Sequence, residues 1–78
     1  MTRNEQRMTK LIHDLRYGYT CFNALLNNND DDAKTAQGMV NELSKLASDD
    51  RISLPNRAYA QGIALTYNHL LLMRNVKA

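Results

Sequence analysis

The stretch MTKLIHDLRYGYTCFNALL (residues 8–26) decides how this chain folds. Met8, Leu15 and Phe22 stand seven apart, Leu11, Gly18 and Leu25 form a second such line, and Ile12, Tyr19 and Leu26 a third beside it. Three adjacent lines at that spacing make one apolar face of an amphipathic helix. The other face carries Arg3, Arg7, Lys10, Asp14, Tyr17 and Thr20. The pattern predicts one helix over about 4–27, roughly 35 Å long at 1.5 Å per residue. Gly18 lies inside the stripe. Gly in a helix interior costs about 1 kcal/mol relative to Ala, so it either admits a closely packed neighbour or marks a kink. The apolar lines continue on both sides of it, which favours close approach.

Downstream, Asn27-Asn28-Asn29-Asp30-Asp31-Asp32 closes that helix. Asn tolerates the left-handed conformation at a helix C-terminus, and Asp suits the N-terminus of the next helix. The aspartates invite comparison with a calcium loop, which needs Gly at its sixth position and Glu at its twelfth. Counted from Asn28 those positions are Ala33 and Met39, and from Asp30 they are Thr35 and Asn41, so neither frame fits. A second helix is predicted over about 33–47, with Ala36, Met39, Val40, Leu43, Leu46 and Ala47 on its apolar face.

A third helix is predicted over about 54–75, with Ser53 before it and Pro55 in its first turn, where a missing N–H has no intrahelical partner. It carries two apolar stripes. One is Tyr59, Ile63, Thr66, Tyr67, Leu70 and Met73; the other is Ala58, Gly62, Leu65, His69, Leu72 and Val76. Ala64 and Leu71 interrupt the polar line of Arg57, Gln61, Asn68 and Asn75. A helix apolar over more than half its circumference buries more than one face. In a bundle this small, either the helix lies in a groove between the other two or its extra stripe packs on another molecule; in the second case Ala58, Leu65, Leu72 and Val76 are the expected contact of a homodimer. The expected fold is an all-α, antiparallel three-helix bundle forming a single domain over residues 1–78.

Composition narrows the classes. The chain has 78 residues, 44% hydrophobic and 23% charged, enough for one domain. Its single Cys cannot build a disulfide framework. The longest apolar run, residues 70–73, is far short of a membrane span. The polar start of the chain leads to no signal-peptide core, so a cytoplasmic setting without a membrane partner is expected. Net charge is +2, unevenly placed. Arg3, Arg7, Lys10 and Arg16 against Glu5 and Asp14 leave residues 1–28 at +2. Asp30, Asp31, Asp32, Glu42, Asp49 and Asp50 against Lys34 and Lys45 take residues 29–50 to −4. Arg51, Arg57, Arg74 and Lys77 give the remainder +4.

The residues offer little chemistry. Cys21 with His13 or His69 lacks an oxyanion turn and an orienting acid, and a free Cys beside an apolar stripe packs as a small hydrophobe. His69, on an apolar stripe, is expected to be partly buried and hydrogen-bonded; His13 is expected on the surface. One Cys and two separated His are too few for a zinc site. No phosphate loop or dinucleotide fingerprint is present. An enzyme is not expected, and no cofactor or metal is implied.

Two binding readings remain. The first is a non-enzymatic protein-binding module: an inhibitor, adaptor or regulator of a larger protein or complex. Its size and style are those of small accessory proteins, such as those of phages and plasmids, that occupy another protein's surface. Asp30, Asp31, Asp32, Glu42, Asp49 and Asp50 would then fill a basic groove, one that otherwise takes nucleic acid. Tyr17, with Arg16 and Lys10 near it, has the composition of a contact hot spot, whereas Tyr19, Tyr59 and Tyr67 fall on or beside apolar stripes and are expected to pack. The alternative is a small DNA- or RNA-binding regulator. It would use Arg3, Arg7, Lys10 and Arg16 on phosphates, or Asn56, Arg57 and Gln61 on bases.

Overall fold

Gly18 divides the long first helix in two. The computed structural model describes residues 2–76, with side chains through residue 74. It is all-α, with α1 (Arg3–Tyr17), α2 (Tyr19–Leu26), α3 (Asp30–Leu46) and α4 (Leu54–Val76). The expected three helices are therefore four among the described residues, and Gly18 marks a kink rather than the seat of a neighbouring helix. Its backbone turns extended at φ −80°, ψ 161°, while its N–H still donates to the Asp14 carbonyl at 2.9 Å. A Cβ at position 18 would stand 2.5 Å from that carbonyl oxygen. Such a contact is far inside van der Waals distance, so the bend needs the residue without a side chain.

The break also slips the helical frame. α1 buries Met8, Leu11 and Leu15. Continued without interruption, that frame would bury Phe22. Instead Cys21 and Ala24 go inside, Phe22 is 52% exposed and Tyr19 81% exposed. Thr2 and Glu5 close the start of α1 with a reciprocal capping box, Glu5 N–H donating to Thr2 Oγ1 at 3.1 Å.

α3 starts at Asp30, earlier than expected, because Asn29 is its cap: Asn29 Oδ1 accepts the Asp32 N–H at 3.0 Å. The three aspartates thereby occupy the first turn, where the helix dipole favours negative charge. Asn28 before the cap takes a left-handed φ of 56°, which Asn adopts more readily than most residues. Ala36, Val40 and Leu43 form the buried line of α3, with Met39, Leu46 and Ala47 partly covered beside it.

α4 reverses the expected arrangement. Its inward line is Ala60, Ala64 and Leu71, flanked by partly buried Arg57, Tyr67, Asn68 and Arg74. This is the line that reads as polar and interrupted in the sequence. Alanines there let α4 lie close on α3, and the Gln37 amide bridges to Asn68 Oδ1 at 3.0 Å between them. The bulkier apolar residues then point elsewhere. His69, expected to be partly buried, is exposed.

Ion pairs and polar contacts give the helix directions. Asn4 and Arg7 near the start of α1 meet Asp49 and Glu42 at the end of α3. Arg74 near the end of α4 meets Asp30 at the start of α3. The arm formed by α1 and α2 therefore runs alongside α4, and both oppose α3. Ile52, in the α3–α4 connection, is fully buried and plugs one end of the core. Its carbonyl accepts from Arg57 Nε at 2.9 Å.

Candidate functional site

The arm and α4 both rest chiefly on α3 and touch each other less. A groove is left between them. At one end Glu5, Met8, Thr9, Ile12, Asn56 and Tyr59 line a hollow of about 280 Å³. At the other, below the Gly18 bend, a hollow of about 360 Å³ lies among Leu15, Tyr17, Tyr19, Cys21, Phe22, Leu25, Leu26, Tyr67 and Leu70. Arg16 of the second hollow donates to the hydroxyl of Tyr59 in the first, and this bond separates them. The Arg16 guanidinium also lies over the Tyr17 ring, 5.0 Å from its centroid, and Tyr17 meets the His13 ring at 5.3 Å. A stacked guanidinium of this kind loses little freedom on binding and holds the ring in place.

The walls of the second hollow are exposed although most are apolar. Tyr17, Tyr19, Phe22, Leu26 and Leu70 all present large surfaces to solvent. Its floor is covered: Leu15 and Cys21 are buried, and Tyr67 is half-buried. Burial pushes the Cys21 thiol up from its ordinary pKa, which keeps it protonated and unreactive at neutral pH. Burial also raises the Tyr67 hydroxyl. Among the described residues no cluster of three or more His, Cys, Asp or Glu side chains is placed to hold a metal ion. No described helix is long and apolar enough to cross a membrane.

The acidic residues do not form one patch. Asp30, Asp31 and Asp32 sit at the start of α3 and Asp49 and Asp50 beyond its end, about 27 Å apart along the helix. Three of the six are engaged within the chain. Asp30 pairs with Arg74. Glu42 takes Arg7 in a two-pronged contact at 2.6 and 2.9 Å. Asp49 accepts from Arg51 Nε at 3.0 Å, Arg51 Nη2 at 3.1 Å and Asn4 Nδ2 at 2.7 Å. Those donors hold the Asp49 carboxyl well below the usual carboxylate range, and Arg7 lowers that of Glu42. Asp31, Asp32 and Asp50 have no side-chain partner among the described residues.

Several of the basic residues are engaged in the same way. Lys10 pairs with Asp14 at 3.0 Å. Arg57 is partly buried on the Ile52 carbonyl. Arg3, Asn56 and Gln61 are exposed. Ala58, Leu65 and Leu72 are exposed on the outer side of α4, and the Val76 side chain lies outside the described residues.

Sequence reasoning missed Tyr19, Phe22, Leu26 and Leu70 as surface groups because each fits an apolar stripe. Gly18 was the available signal: a kink there releases every downstream residue from the α1 frame. No protein-family profile, curated protein or solved structure matches this chain.

Proposed function

We propose that this chain is a non-enzymatic, cytoplasmic protein-binding module, an inhibitor, adaptor or regulator of a larger protein, which works as a homodimer. One observation carries the reading: large apolar side chains ring an open groove beside the Gly18 bend instead of entering the core. Leaving them in water forfeits roughly 1.5–3 kcal/mol for each fully exposed side chain, and a contiguous exposed patch marks an interaction surface. The groove lies between two helices that run side by side, from Asn56 and Met8 to Leu26 and Leu70. The hollow beyond the Arg16–Tyr59 bond suits a short amphipathic helix from the partner, whose apolar face enters among Tyr17, Phe22 and Leu26.

A nucleic-acid reading has less support. Arg7, Lys10 and Arg16 are already bonded to Glu42, Asp14 and Tyr59. The deciding experiment is capture from host lysate on immobilised wild-type and Phe22→Asp protein, with and without nuclease. The expected result is one stoichiometric protein held by wild type, indifferent to nuclease and lost on Phe22→Asp. Capture that vanishes with nuclease and ignores Phe22→Asp overturns the reading in favour of nucleic acid.

A further inference from the structure

We infer that α4 pairs with α4 of a second copy of this chain, antiparallel, with Gly62 of each copy facing Leu72 of the other. The inference rests on the dimeric half of the reading above and adds its geometry. Ala58, Gly62, Leu65, His69 and Leu72 follow alternating steps of four and three residues, the spacing of a coiled-coil seam. All five are exposed; Leu65 is 60% and Leu72 54% accessible. They lie opposite Ala60, Ala64 and Leu71, which face α3, and no described residue covers them. A Cβ built at Gly62 meets nothing within 4 Å.

The occupant follows from charge and size. Residues 58–73 contain no Asp, Glu, Lys or Arg. Charged residues beside a seam choose unlike partners and repel like ones. Here the flanking positions are Tyr59, Gln61, Thr66, Asn68 and Met73, so a second copy meets no repulsion. Orientation follows from the layers. Parallel pairing would set Gly62 on Gly62, leaving a void, and His69 on His69. Antiparallel pairing sets Leu65 against the partner's His69 and Gly62 against the partner's Leu72, and opposes the two helix dipoles. It also places Ala58 opposite position 76.

Sedimentation equilibrium from about 1 to about 500 µM tests this, since a seam of under three heptads is expected to dissociate at about 10 µM. Wild type is expected to move reversibly from 8.9 kDa to twice that mass. Leu65→Asp, at an exposed position, is expected to keep its helical circular dichroism and dimerise at least about 100-fold more weakly. Gly62→Leu alone is expected to weaken pairing at least about 10-fold. Combined with Leu72→Ala, which restores one large and one small residue to that layer, it is expected to return within about threefold of wild type. Phe22→Asp is expected to dimerise like wild type, which separates this seam from the groove. A chain that stays monomeric throughout overturns the dimer itself. A dimer indifferent to Leu65→Asp overturns the seam, and a double variant no better than Gly62→Leu overturns the antiparallel layers.

Discussion

α3 and α4 lie against each other yet solve opposite problems. α3 hides its bulk: Val40 and Leu43 are buried, and its exposed face is polar. α4 hides Ala60 and Ala64 and turns Leu65, Leu72 and Met73 outward. The difference shows that apolar character alone does not select the inward face of a helix. Where two helices pack closely, side-chain size selects it, and small residues win the inner line. The large residues displaced from the core are then available to another molecule.

The comparison breaks most visibly at its two leucines. Leu43→Ala is expected to destabilise by about 2–5 kcal/mol, enough to leave so small a domain largely unfolded. Leu65→Ala, measured below the dimerisation range, is expected to stay within about 0.5 kcal/mol of wild type. Urea unfolding followed by circular dichroism reads both. Equal losses would mean that α4 is not turned as described.

A smaller effect tests whether size sets the inner line. Ala64→Leu adds apolar surface where α4 meets α3, and is expected to cost about 1–3 kcal/mol by forcing the helices apart. A stabilised variant in the same urea assay would show that hydrophobicity, not closeness, governs the position.

Smaller still is a matched pair of glycines. Gly38 on α3 and Gly62 on α4 are both helical, and a Cβ at either meets nothing within 4 Å. Replacing each by Ala is expected to stabilise the monomer by about 0.5–1 kcal/mol. Only Gly62→Ala is expected also to weaken dimerisation, so thermal melts at low and high protein concentration tell the two apart.

Acid is expected to act where the start of α1 meets the end of α3 and the connection after it. The lowered carboxyls of Glu42 and Asp49 contribute stability above their unfolded pKa values, about 4. That contribution is lost as pH falls through the folded values. Urea midpoints are therefore expected to hold from about pH 7 to about pH 5 and decline below about pH 4. Asp49→Asn is expected to begin lower and decline less.

Much of this architecture was readable from residue spacing, and the unreadable parts share a cause. The α3 face was legible because its large apolar residues recur without interruption. The α4 stripes were legible as stripes, and Leu65 and Leu72 of the outer one are exposed. What faced α3 was not legible, since Ala60 and Ala64 are too small to stand out among leucines. The split at Gly18 left apolar lines on both sides, and a one-residue slip in frame changes which of them is buried without changing the pattern. The charge pairing was equally hidden: Arg7 and Glu42, or Asp30 and Arg74, are brought together only by the packing of whole helices. Ile52 sits in a connection whose sequence gives no period at all.

Arg74 gives the groove a mechanical property. Its guanidinium, 11% exposed, donates to the Ala24 carbonyl at 2.9 Å and the Asn28 carbonyl at 3.1 Å, and pairs with Asp30. α2 has eight residues, too few to persist as a helix without support. Its last turn is thus held by a side chain fifty residues away in sequence. The second half of the groove wall and the final turns of α4 therefore belong to one opening unit. Fraying of α4 past Leu71 is expected to release Phe22 and Leu26 together, ahead of the core.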